Sequence, residues 1–289
     1  MPDGIIHLKG AQAAAFRRRR ILSIAQSAGG GFKWRMANEN GEWIMKGLDW
    51  DDPFRIRTWQ ELVNWINEIG FLPLFGNEIE GFSAEEHTSP DYWWSGDTDE
   101  DPWEWRQIIA ADASVAYGKF FDNKAGFISL EWLPHFANFR RNGYDFDAGW
   151  QDGLANRREK KIMDFFVGED KNGDTEYREN RILSTELKKT AGFGKNGEKN
   201  YSGIITGLQM KTYLVISDFK RRRNKQGSEY GMAVSILLPP EVIWGYEAVT
   251  SAYKENPKAS WERIFDHTKE MYPKAKDRDI IRLIGKSPV

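Results

Sequence analysis

Residues 184–238 read STELKKTAGFGKNGEKNYSGIITGLQMKTYLVISDFKRRRNKQGSEYGMAVSILL. Ser184 opens a short helix over 184–192, and Glu186 places a negative charge in its first turn. Leu187 stands where a capping box needs Glu or Gln, so the box is incomplete. A glycine-rich turn follows, then a second helix over 199–209. Alternating apolar residues predict a strand over 211–219, a turn over 220–228 and a returning strand over 229–237. Helix, turn, helix, two-stranded ribbon is the order of a winged helix-turn-helix.

Charge in this segment is lopsided. Residues 188–225 hold ten basic side chains and two acids, a local charge of +8 in a chain whose total is −2. A solvated lysine-rich face is the ordinary reading of such a run. Here Lys195 and Lys199 fall at the start of the second helix, Lys211 at its end, and Lys220, Arg221, Arg222, Arg223 and Lys225 at the ribbon tip. Helix start and ribbon tip are parts of a winged helix that touch DNA phosphates. DNA is therefore the expected partner, with salt-dependent affinity.

Two motifs resolve into ordinary turns. GFGKNG matches G-x-G-x-x-G, but a helix precedes it where a dinucleotide site needs a strand. DKNGDTEYRENR begins like a calcium loop at Asp170, Asn172 and Asp174. Thr175 then replaces the required Gly, and Arg181 the required Glu.

The rest of the chain reads as mainly helical. A helix is expected over 10–28, closed by three glycines, and a loop or hairpin over 32–57. TWQELVNWINEIG (58–70) is an amphipathic helix with Thr58 as N-cap and Glu61 completing a capping box. Pro73 excludes a helix interior at FLPLF. Ser83 starts a short helix. Asp101 and Pro102 start another over 101–112. A strand over 115–121 and a turn over 122–127 precede helices at 129–141 and 155–167, and 260–272 is helical. The expected class is α+β, mainly helical, built from tandem winged helix-turn-helix modules. Residues 1–150 form an N-terminal region with a Trp-rich loop. Residues 151–289 form a basic winged-helix module plus C-terminal helices.

Composition narrows the chemistry. There is no cysteine, which excludes disulfides, thiol nucleophiles and thiolate metal sites and fits a reducing cytoplasm. The four histidines lack metal-binding spacing, so no metal or cofactor is expected. The basic run at Arg17–Arg20 is followed by too short an apolar stretch for a signal peptide. No apolar run is long enough to span a membrane.

WWSGDTDEDPWEWR (93–106) concentrates four of the 13 tryptophans among acids. Trp93, Trp94, Trp103 and Trp105 suit a clasp of loop onto core. They are also a candidate aromatic platform for an extruded base. Trp103 and Trp105, two apart on a helix, point in different directions.

Three stretches carry a resemblance: FRRRRILSIAQ, ELVNWINEIGFLPLF and AYGKFFDNKAGFISLEWLPHFANFRR. Together they resemble the AlkZ-type winged-helix DNA glycosylases, nearest to the bacterial AlkZ-related proteins. The resemblance implies DNA binding, with Arg140 and Arg141 on an arginine-rich helix as DNA contacts. The glycosylases' catalytic motif, Gln–hydrophobic–Gln/Asp, falls on Leu72-Pro73-Leu74, which cannot orient water. The C-terminal end reads as helical where these glycosylases have a small β-barrel. The leading expectation is a DNA-binding protein recognising damaged or distorted DNA. The alternatives are an active glycosylase with its acid relocated to a residue such as Glu78 or Glu80, and a ligand-sensing or protein-interaction module.

Overall fold

A computed structural model describes residues 45–288. The expected helix at 10–28, with Arg17–Arg20, lies outside the described residues, as does the first half of the 32–57 segment. Helix α1 spans Trp59–Ile69 and buries Leu62, Val63, Trp65, Ile66 and Ile69. Thr58 caps it by accepting from the Glu61 N–H at 3.2 Å. The Glu61 carboxylate reaches the Arg57 N–H instead of closing the box on Thr58. Gly70, at φ +89°, ends the helix. A Cβ there would lie 2.6 Å from the Trp132 indole nitrogen, so only glycine fits.

Strand β1 (Phe71–Pro73), helix α2 (Ala84–His87), helix α3 (Pro102–Asp112) and strands β2 (Val115–Phe121) and β3 (Lys124–Ser129) complete a first unit. Its sheet is antiparallel in the order β1-β3-β2. The turn between β2 and β3 is two residues long. Asp122 and Asn123 both have positive φ, which matches the twist of a tight hairpin. Helices α4 (Leu133–Arg141) and α5 (Phe146–Gln151) lead to a second unit. This contains α6 (Arg157–Met163), a small hairpin of β4 (Val167–Glu169) and β5 (Thr175–Tyr177), α7 (Ser184–Thr190), α8 (Tyr201–Met210), and a ribbon of β6 (Val215–Arg223) and β7 (Glu229–Leu238). The chain closes with α9 (Pro240–Trp244), α10 (Tyr246–Thr250), a short 3-10 turn, α11 (Pro257–Met271) and α12 (Asp277–Ile284). Among the described residues the result is a mixed α+β fold of helices with three small antiparallel sheets.

The two units share one order of elements, apart from the β4–β5 hairpin inserted after α6 in the second. In the first, helix, strand, helix, helix, strand and strand follow each other, and the first strand pairs with the last. In the second, Leu183 takes the place of the first strand and bridges Ile236 on β7. That bridge needs extended backbone at Leu183, so Leu183 occupies the cap position of α7. Ser184 is the first helical residue and not the cap, and its hydroxyl meets that of Ser235 at 3.3 Å. The strand expected from 211 begins at Val215, because the end of α8 folds back first. The N–H groups of Tyr213 and Leu214 both return to the Leu208 carbonyl.

The apolar core forms two clusters. One gathers α1, the β1–β3 sheet, α3 and α4 with Ile264, Tyr272 and Ile280 of the C-terminal segment. The other gathers Phe146, Ile162, Phe166, Leu187, Leu208 and Leu237. The C-terminal helices thus pack on the first unit, although they follow the second in sequence. The units also pack against each other: α3 lies on β6, and α8 lies on β2. The Gln209 side chain of α8 accepts from the Lys119 N–H of β2 at 3.0 Å.

Candidate nucleic-acid interface

The exchange of helices leaves a groove of about 1430 Å³ between α3, α7 and the β6–β7 ribbon. Lys220, Arg221, Arg222 and Arg223 line it from the ribbon, and Lys188 and Lys189 from α7. Arg106 and Arg181 complete a set of eight basic side chains against three carboxylates, Glu104, Glu186 and Glu229. Glu229 is paired to Arg223 at 3.2 Å, and Glu104 accepts from the Gln107 amide at 2.6 Å. Among the rim residues, Tyr230 and Met232 are exposed, Met232 at 76%.

The basic residues expected to bind DNA do not all share this surface. Lys225 sits exposed in the ribbon turn, next to the groove. Lys195 is exposed in the α7–α8 turn, and the Lys199 ammonium donates to the carbonyls of Gly194 and Lys195 in that turn. Lys211 is held by Glu159 at 2.8 Å. Glu198 ties the same turn to Arg157 and Lys161 of α6, and these cations outweigh its partial burial to hold its carboxyl below the usual range. GFGKNG is accordingly a helix–helix turn. Asp170 folds its hairpin by accepting from the N–H groups of Asn172 and Asp174.

Arg140 and Arg141, expected as DNA contacts, lie apart from the groove lining. Both point into the molecule. Arg141 is buried and pairs with Glu241, and it donates to the Thr212 carbonyl and to the Tyr253 hydroxyl. Arg140 donates to the carbonyls of Phe120 and Ile284 and lies over the rings of Phe136 and Phe139. Helix α4 is enclosed by α11, α10 and the 3-10 turn, so its arginines hold elements together.

The four tryptophans do not form one platform. Trp105 is fully buried, and its indole donates to the Asp99 carbonyl. Trp93 is buried and donates to the Thr88 hydroxyl. Trp103 is half-buried, and Trp94 is 48% exposed. Rings of Phe75, Trp93, Trp94 and Trp103 contact one another at 5.6–6.3 Å. Asp101 is wholly buried, and its carboxylate accepts from the N–H groups of Trp94, Gly96 and Trp103. One carboxylate therefore caps α3 and ties the preceding loop to it.

Leu72 and Leu74 are fully buried, in and beside a paired strand. Glu78 and Glu80 are exposed and lie outside the groove lining. Partial burial pushes the Glu78 carboxyl up. Its backbone hydrogen bond and Arg282 outweigh that and hold it below the usual range. An acid so held does not donate a proton at neutral pH. Besides Arg181, Arg106 is a groove cation that sequence reading missed. It lies 115 positions before Arg221, in the acidic tryptophan stretch, and nothing local marks it.

The AlkZ-related family profile matches residues 56–285, most of the chain and all of both units. The chain belongs to the AlkZ-related family. No curated protein and no solved structure gives a significant match. Membership relates this AlkZ-related chain to the DNA glycosylase-like superfamily. Among the described residues, no helix is long and apolar enough to cross a membrane.

Proposed function

We propose that this AlkZ-related protein binds DNA through the groove between α3, α7 and the β6–β7 ribbon, and that both units are winged helices. The order of elements and the pairing of first strand with last support the second part. The first rests on the eight basic side chains converging on one groove in a chain of net charge −2. Phosphate neutralisation by such a set gives affinity that falls steeply with salt. Exposed Tyr230 and Met232 on the rim suit duplexes whose base stacking is already disturbed, since apolar side chains enter such steps at lower cost.

The experiment is duplex binding across a salt series, on intact and alkylated DNA, with base release measured in parallel. Salt-dependent binding without base release is expected. Base release would favour the glycosylase reading, with Glu104 as the groove carboxylate to substitute first. Absence of any binding would leave the protein-interaction reading.

A further inference from the structure

Arg106 lies at the floor of the groove and is only 7% exposed. Its guanidinium carbon is 3.6 Å from the centroid of the Trp103 ring and 4.6 Å from that of Phe219. The buried Tyr117 hydroxyl lies close to it. Among the described residues no carboxylate pairs with Arg106, and its Nε–H has no hydrogen-bond partner. Arg141 provides the contrast, since it is as deeply buried and meets Glu241 and the Thr212 carbonyl. The two groove carboxylates on α3 and β7 are engaged elsewhere, Glu104 with Gln107 and Glu229 with Arg223.

A buried cation without a counter-charge is costly. The faces of Trp103 and Phe219 offset part of that cost. What remains is a planar fork of donors, held rigid by two rings and lacking an anion. Such a fork matches the oxygens of a phosphate better than a lysine does.

We propose that Arg106 is an anion subsite that takes a phosphate group, namely a DNA backbone phosphate drawn into the groove between α3 and the ribbon. The inference rests on the DNA-binding reading above and adds the residue that reads the strand at depth. Exposed ribbon arginines meet any duplex. A phosphate reaches Arg106 only where the strand leaves the smooth helical path. Arg106 therefore contributes more on a bulged duplex than on an intact one.

The test compares the wild type with Arg106→Gln and Arg106→Lys, each first checked by thermal unfolding. Affinity for intact and bulged duplexes is then measured across a salt series. Arg106→Gln should lower the salt slope on the bulged duplex by about 1 and weaken binding about tenfold. Arg106→Lys should restore the slope. A folded Arg106→Gln protein with wild-type slope and affinity overturns the subsite while leaving the DNA-binding reading in place. An equal loss of slope in Arg106→Lys marks a packing role and also overturns it. Where Arg106→Gln does not fold, the side-chain Nε–H resonance of Arg106 in the wild type is followed as bulged duplex is added. It should shift, and a fixed signal beside shifting ribbon arginines counts against the subsite. Inorganic phosphate at constant ionic strength distinguishes the source. Stabilisation of the wild type but not of Arg106→Gln indicates a site filled by free phosphate as well as by the backbone. A wild type indifferent to both duplex and phosphate removes the subsite together with the wider reading.

Discussion

Residues with the same side chain differ here by what surrounds them, and the tryptophans show it most directly. Trp105→Ala should cost about 3–5 kcal/mol, since a fully enclosed ring is removed. Trp94→Ala, at a half-exposed ring, should cost less than about 1 kcal/mol, and chemical denaturation of both variants checks the difference. Glu86 supplies a pH test. Burial raises its carboxyl to about 7, against hydrogen bonds from the Ser83 hydroxyl and the Gly81 N–H that favour the charged form. The folded state then holds its proton more tightly than the unfolded chain does. Between about pH 4.5 and about 7 the unfolded chain has released that proton and the folded one has not, so this group makes stability fall as pH rises. Glu86→Gln should flatten that fall, leave stability near pH 4 unchanged and raise it at pH 8. Equal urea midpoints at pH 8 for the two proteins would refute the assignment.

The β2–β3 and β6–β7 hairpins explain, at the scale of elements, why the proposed interface falls in the second unit. The tight turn of the first hairpin is tucked against the C-terminal helix and α8. The Asp122 N–H reaches the Leu283 carbonyl, and the Asn123 N–H reaches the Met210 sulfur. The β6–β7 ribbon instead extends into solvent from residue 220 onward. Replacing Arg221, Arg222 and Arg223 together with Ala should leave the melting temperature nearly unchanged, because these side chains are exposed. It should lower the salt slope of duplex binding by about 1 for each phosphate no longer neutralised, at all sequences alike. An unchanged slope would take the ribbon out of the interface.

At the scale of the whole molecule, the joint between the halves is a buried ion pair. Arg141 of α4 meets Glu241 of α9 and the Thr212 carbonyl after α8. Neighbouring Tyr253 shares the site, and burial pushes its hydroxyl up to about 12 despite the opposing charge of Arg141. Arg141→Ala should cost about 3–5 kcal/mol, because Glu241 is left buried without a partner. The double substitution Arg141→Met, Glu241→Leu should recover much of that loss, since an apolar pair of similar volume needs no compensation. Thermal unfolding of the single and double variants decides it. No recovery in the double variant would mean that the pair is not the element holding the halves together.

The amino-acid sequence by itself determined the local elements and the family. Caps at Thr58, Ser83 and Asp101, the apolar stripe of α1 and the alternation in β6 and β7 depend on neighbours a few positions away, so periodicity and capping chemistry reveal them. The clustered bases of the ribbon were legible for the same reason. Only the tertiary structure decided which charges face outward. Arg140 and Arg141 look like surface cations in FANFRR, yet α11 and the 3-10 turn, more than a hundred residues later, enclose them. Arg106 looks like part of an acidic loop, yet the packing of α3 onto β6 sets it under Phe219 at the floor of a basic groove. Burial and charge pairing are sums over distant parts of the chain, and no local pattern encodes them.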